Sequence, residues 1–434
     1  MGSVSATLTP AAAPQEAAVA TEPGAPVSRK TPISLSLFAA LAVVVFGVLA
    51  PSGVSSTFAL SLPGDETQLT PLTLPSQATG FALGALLAVL AAYSWLLALQ
   101  RRHTPAWLTI VFGGVWLFAF LVWAVADKAM SLTGLLQGSL LLAVPLVFGS
   151  LSGVLCERAG VINIAIEGHL LAGAFLSAVV ASLTGNLWAG LIAGPVAGLL
   201  VAMLLALFTV RYFVDQIIVG VVLNVLVIGV TGFLYGRLLV PYQDSWNSPG
   251  TFAPIKIPLL GDIPVIGPVL FDQSVIVYLM YVVVTVVHIA LFKTRYGLRV
   301  RAVGEHPAAA DTVGIRVNVV RARNVLIAGA VAGVGGAFFT LGSVGAFGKE
   351  MTAGKGFIAL AAMIFGRWTP LGALAAALLF GFADNLQSVL SIIGTPIPSE
   401  FMLMAPYLAT IFAVAGLVGR VRAPAADGKP YIKS

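Results

Sequence analysis

The side chains of this chain that could do chemistry are few, and most are set singly in apolar sequence. Cys156 is the only cysteine among 434 residues, so neither an intrachain disulfide nor a cysteine metal cluster is available. The four histidines, His103, His169, His288 and His306, stand apart without metal-ligand spacing. An ATPase phosphate loop needs Gly-x-x-x-x-Gly-Lys-Ser/Thr, whose amides cradle phosphate while the hydroxyl reaches magnesium. The nearest approach, Gly348-Lys349-Glu350, has Ser343 at the first glycine position and a carboxylate in place of the hydroxyl. Neither Gly-x-Ser-x-Gly nor His-Glu-x-x-His occurs, so intramembrane proteolysis lacks its machinery. No catalytic residue, metal site or cofactor is expected, and ATP hydrolysis, if it drives this protein, belongs to another chain.

What remains is polar recognition. Asn163, Glu167, Asn224, Asp384 and Asn385 are embedded in apolar runs, where polar groups are costly and normally face a pathway or a partner. They are the candidates for a substrate pathway. Asn385 is suited to hydrogen-bond a ribose or a base, although polar groups satisfying each other between helices explain Asp384, Asn385 and Gln387 equally well. Interhelical hydrogen bonding is the default role of Asn224. Asp215 and Gln216 read as a helix start, which favours an acid. Glu157 and Arg158, at the same turn as Asn163 and Glu167, fit a solvated loop and a pathway cluster equally, whereas Glu167 before Gly168 suits a broken or re-entrant helix near the pathway.

The elements that must position these groups are membrane helices. Hydrophobic residues make up 59% of the chain and charged residues only 9%, with mean hydropathy +0.99. A soluble domain carries about 25% charge. The apolar residues come in unbroken blocks of about 20, the length that crosses hydrocarbon, and not in the alternating pattern of a barrel. The fold class is therefore an all-α polytopic membrane protein with about 12 transmembrane helices. Candidate spans lie near 33–51, 79–99, 107–126, 132–155, 166–183, 187–209, 216–238, 273–292, 323–342, 352–366, 370–390 and 400–419. The 352–366 segment is short and Gly-rich, and fits either a span or a re-entrant loop.

With N- and C-termini cytoplasmic, all of the 23 Lys and Arg face inward except Lys128, Arg237, Lys256, Lys349 and Lys355. This satisfies the positive-inside rule. The formal net charge of +6 thus reflects topology, and nucleic acid is not an expected partner. Residues 1–30, rich in Ala, Thr, Ser and Pro, read as a disordered cytoplasmic tail, and the first span reads as an uncleaved anchor. Residues 31–131 hold N-terminal helices, 132–420 the larger helical core with an inner loop at 293–322, and 421–434 a second cytoplasmic tail. Gly168-His-Leu-Leu-Ala-Gly-Ala-Phe175 weakly echoes Gly356-Phe-Ile-Ala-Leu-Ala-Ala-Met363, with the two running in opposite directions. That relation suits inverted repeats, whose broken helices line transport sites.

The inner loop carries a recognisable helix. Pro307 fits a first turn, Gly314 fits just past an end, and His306, preceding proline, should sit outside as a cap. Ala308 to Val313 then form about two turns. Such a helix could lie on anionic lipid. The sharper expectation is a coupling helix that docks into a separate ATPase, involving Gly304, Glu305, His306, Pro307, Ala310, Asp311 and Gly314.

The stretch from Tyr296 to Ile315 resembles the cytoplasmic loop of bacterial ABC importer permeases of the branched-chain amino acid/ribose group. Glu157-Arg-Ala-Gly-Val-Ile-Asn-Ile-Ala-Ile-Glu-Gly168 resembles a motif of its nucleoside/simple-sugar branch. Gly335-Gly-Ala-Phe-Phe-Thr-Leu-Gly342 and Gly366-Arg-Trp-Thr-Pro-Leu-Gly372 add two further matches. The resemblance covers about residues 132–420 and implies a transmembrane subunit in the bacterial inner membrane. It further implies an ABC ATPase subunit, a second permease subunit forming a heterodimer, and an extracytoplasmic substrate-binding lipoprotein. The implied cargo is a nucleoside or a ribose-type sugar. A proton-coupled secondary transporter, using Glu167 or Asp384 as the proton carrier, and a non-transporting scaffold are the competing classes. The docking loop favours the ATP-driven importer, since a secondary carrier has no ATPase to meet.

Overall fold

The structure is a computed structural model that describes residues 29–65, 68–394, 404 and 423–433. Among the described residues ten helices are long and apolar enough to cross a membrane. They are α1 (Lys30–Val48), α2 (Ser76–Leu99), α3 (Ala106–Ala124), α4 (Leu132–Glu157), α5 (Ile166–Thr184), α6 (Leu187–Arg211) and α7 (Gln216–Leu239). After these come α8 (Val275–Lys293), α9 (Arg295–Glu305), α10 (Pro307–Thr312), α11 (Val317–Val344), α12 (Lys355–Phe365) and α13 (Pro370–Ile393); α9, α10 and α12 are the short ones. Of the twelve spans expected, 400–419 lies outside the described residues apart from Met404, and 352–366 contains only the 11-residue α12.

Helix ends follow local chemistry. The Asp215 carboxylate accepts from the Ile217 and Ile218 amides and starts α7. Ser131, Asn186 and Thr369 cap α4, α6 and α13 in the same way, and Pro370 occupies the first turn of α13. Gly185 and Gly394, both left-handed, end α5 and α13.

The chain divides into two compact units. The first comprises α1 to α3. Its core joins Leu35, Ala39 and Phe46 to Leu87, Ala91, Phe112 and Ala119. Phe46 packs on Trp116, Phe120 and Trp123, and the Trp95 indole donates to the Ser36 hydroxyl at 2.9 Å.

The second unit holds α4 to α13 around α4, of whose most apolar window 89% is buried. Small residues let its backbones touch. A Cβ on Gly198 of α6 would lie 2.0 Å from the Gly329 carbonyl of α11, and one on Gly333 would lie 2.2 Å from that of Gly194. Each helix thus presents a Gly-x-x-x-Gly pair to the other, the packing that serves where hydrocarbon removes the hydrophobic drive between helices. On the outside, Ile218, Val222, Val225 and Phe233 of α7 are exposed, which suits hydrocarbon and not water.

The path of the chain around α12 explains its brevity. Near the end of α11, the Leu341 carbonyl accepts from the Phe252 amide in the 239–272 loop. At the far end, the Trp368 carbonyl accepts from Arg158, beside the start of α11. Residues 345–369 thus run from the end of α11 to the Arg158 turn, first as irregular chain and then as α12. Eleven helical residues span only about 16 Å.

Candidate functional site

Two sites in the second unit collect the residues singled out by sequence. The first is a junction between the starts of α5 and α12. Before α5, residues 161–165 run without helix beside α7. The Ile162 amide donates to the Gln216 side chain at 2.7 Å, and the Asn224 amide group donates to the Ile164 carbonyl at 2.8 Å. The Asn224 side-chain oxygen accepts from the Gly168 amide at 2.8 Å. Asn224 lies eight residues along α7 from Gln216, about 12 Å, so residues 162–168 run beside the first two turns of α7 before α5 is established.

Glu167, in the first turn of α5, is buried and faces the start of α12. One carboxylate oxygen accepts from the Thr352 hydroxyl at 2.6 Å and the Gly354 amide at 2.9 Å; the other accepts from the Gly356 amide at 2.6 Å. These amides are among those a helix start leaves without partners. Glu167 thus supplies from another helix the cap and the negative charge that an N-terminus favours. The approach needs glycine, since a Cβ on Gly356 would sit 2.4 Å from the Glu167 amide nitrogen.

Around this contact the remaining candidates diverge. Asp384 of α13 forms an ion pair with Lys355, and both keep part of their surface exposed. Asn385 turns toward α4, where it donates to the Leu135 carbonyl at 2.7 Å. Asn163 is fully buried, donates to Ser152 at 3.2 Å and leaves its oxygen without a hydrogen-bond partner among the described residues. So Asn163, Glu167 and Asn224 share one junction, Asp384 joins it through Lys355, and Asn385 serves a helix contact. Sequence reading missed Thr352 and Lys355 as members; the glycines flanking Lys355, at the weak echo of 168–175, are the signal that marks them.

The second site is the inner loop. Thr294 caps α9, His306 has an extended backbone, and its ring nitrogen accepts from the Ala309 amide at 3.3 Å as α10 begins at Pro307. Gly314, left-handed at φ +84°, follows the end. Gly304 lies against the Arg158 carbonyl, which a Cβ would approach to 2.3 Å. Ala310 is buried with Val303 and Val317, whereas Ala308, Ala309, Thr312 and Val313 point outward. Arg158 and Arg301 both lie over the Phe292 ring, at 5.6 and 5.2 Å. Arg158 also donates to the Trp368 carbonyl at 2.8 Å, and the Trp368 indole donates to the Glu157 carboxylate, so this turn is buried and paired. Glu305 accepts from the Ala425 amide at 3.2 Å, and Asp311 lies 3.5 Å from Lys433. These C-terminal partners were not anticipated; Asp427-Gly428, a turn pair, is the signal available for them.

Residues 135–418 match the family described as branched-chain amino acid transport system / permease component. The chain is 41% identical over 318 residues to the guanosine ABC transporter permease protein NupQ of Bacillus subtilis, covering 71% of this chain and 99% of that protein. It is 42% identical over 306 residues to the nucleoside ABC transporter permease protein NupC of Lactococcus lactis, covering 68% and 95%. The putative glucose ABC transporter permease protein TsgC13 of Haloferax volcanii is 33% identical over 258 residues, or 58% and 77%. No solved structure gives a significant match. With its inner loop carried on a bundle of apolar helices and with this span of similarity, the chain belongs to the branched-chain amino acid transport system permease family.

Proposed function

We propose that this chain is the membrane-spanning permease subunit of an ATP-driven importer of nucleosides in the bacterial inner membrane. The observation that carries the reading is the 41% and 42% identity to a guanosine and a nucleoside permease over nearly their whole lengths. The match to a putative glucose permease is weaker and shorter, so nucleosides are preferred to simple sugars. ATP is hydrolysed by a separate subunit that docks on the outward residues of α10, namely Ala308, Ala309, Thr312 and Val313. A second permease chain completes a heterodimeric pathway, and an extracytoplasmic lipoprotein delivers substrate to the outer loops.

In this reading the chain crosses twelve times with both termini cytoplasmic, counting 345–369 as one crossing and 400–419 as the last. The meeting of the α5 and α12 starts supports inverted repeats with two broken helices. The core spans 132–420 and the helices of 31–131 are an addition to it. Lys355 and Asp384, polar and partly exposed beside the Glu167 junction, are the groups offered to ribose hydroxyls or a base.

The test is co-reconstitution with the ATPase, the second permease and the binding protein in proteoliposomes. Nucleoside should stimulate ATP hydrolysis, and uptake should require ATP. Uptake that persists without any ATPase but collapses with the proton gradient would overturn the proposal in favour of a secondary transporter.

A further inference from the structure

We propose that the C-terminal segment 423–433 is a strap that positions the coupling helix, with Arg321, Asp427 and Tyr431 as the positioning residues. The inference rests on the reading of α9 and α10 as the coupling element. A six-residue helix is far too short to hold itself in water, so what fixes α10 must come from outside it. The strap supplies that hold from the rear. Tyr431 packs on the cluster of Val303, Ala310 and Val317 that closes the inner face of α10, and it lies against Asp311. Lys433 adds an ion pair to Asp311 at 3.5 Å. The Ala426 amide donates to the Gly304 carbonyl at 2.9 Å, across the bend between α9 and α10.

The other side of the strap is tied to the bundle. Arg321 is 2% exposed, and its guanidinium donates to the Lys429 carbonyl at 2.7 Å and toward the Ala426 carbonyl at 3.5 Å. A buried guanidinium without acceptors is costly, so Arg321 of α11 depends on the strap. Asn318, one turn earlier, donates to the Tyr431 carbonyl at 3.4 Å. Asp427 sits beside Glu157 at the end of α4, the carboxylate that holds Trp368 between α12 and α13. The strap therefore joins α10 to the ends of the two central helices, α4 and α11, while Ala308, Ala309, Thr312 and Val313 of α10 stay exposed among the described residues. A push on α10 is passed to the bundle and not absorbed by a loose loop.

The experiment measures ATP hydrolysed per nucleoside imported by the complete transporter in proteoliposomes. Three permease variants are compared with wild type: removal of 423–434, Tyr431→Ala, and Ala309→Trp on the outward face. The strap variants should keep the ATPase bound and active while the ATP consumed per nucleoside rises by about tenfold. Ala309→Trp should release the ATPase. Wild-type ATP per nucleoside in Tyr431→Ala and the truncation, with Ala309→Trp defective, overturns the strap alone. Full ATPase binding and coupling in Ala309→Trp overturns the coupling reading beneath it. Should the truncation fail to assemble, the ratio for Tyr431→Ala decides.

Discussion

Replacing Glu167 tests whether the carboxylate is a clamp or a ligand. Its two oxygens accept three hydrogen bonds of 2.6 to 2.9 Å from Thr352, Gly354 and Gly356. Each hydrogen bond to a charged group is worth about 1.5–3 kcal/mol net. The three share one acceptor group and are not additive, so Glu167→Ala should destabilise the second unit by roughly 3–6 kcal/mol. Glu167→Gln keeps one acceptor but turns an amide N–H toward a backbone N–H, and should cost about half as much. Gly356→Ala forces a Cβ to 2.4 Å from the Glu167 nitrogen and should open the same junction. The assay is thermal unfolding of purified protein in detergent, with uptake measured in parallel. The double variant Glu167→Ala/Gly356→Ala should be little worse than either single one, because both remove one contact. Wild-type melting of Glu167→Gln with only a raised KM for nucleoside would refute the clamp and make the carboxylate a substrate ligand.

The same structure makes four further predictions. Gly198→Val should destabilise the chain by at least about 3 kcal/mol, the upper range for overpacking, because its Cβ would meet the Gly329 carbonyl at 2.0 Å. Gly229→Ala in α7, where a Cβ meets nothing within 4 Å, should leave the melting temperature unchanged or raise it. Asp384→Asn should raise KM for nucleoside about tenfold, the equivalent of one hydrogen bond, with little change in melting; unaltered uptake kinetics would remove the Lys355–Asp384 pair from the pathway. Burial pushes the Asp427 carboxyl up to about 6, with Glu157 and Cys156 facing it from α4 and Arg321 from α11. A raised acid favours docking when protonated, so the strap's hold should be full below about pH 4. It should weaken as pH rises to about 6 and stay level above that, read as protease cleavage of the tail, and Asp427→Asn should flatten the profile.

Sequence made some of this architecture legible and hid the rest for physical reasons. Uncharged blocks mark α1 to α8 within a few residues, because hydrocarbon demands length and apolarity from each segment alone. Pro307 and Gly314 bracket α10 by their backbone constraints, which act within a few residues. What stayed hidden depends on distant partners. Nothing near Glu167 says that its donors lie at 352–356, and nothing in 423–433 says that buried Arg321 will need its carbonyls. Glycines at 194, 198, 329 and 333 show helical spacing, but spacing does not name the partner helix. Ala310 shows the same limit: Pro307 and Gly314 bracket its helix, but only tertiary packing puts Ala310 inward while Ala309 and Val313 stay exposed.

The Glu167 junction also has a history in time. Glu167 and the groups that satisfy it are 185 to 189 residues apart in sequence. At about 5–20 residues per second of synthesis, α5 waits roughly 10–40 seconds before α12 exists. During that interval the carboxylate has none of its final donors. The first half of the permease core is thus born incomplete, and its acid must stay solvated or shielded by the insertion machinery until the second half arrives. Nascent chains stalled before residue 352 are therefore the form that membrane quality control should recognise and degrade.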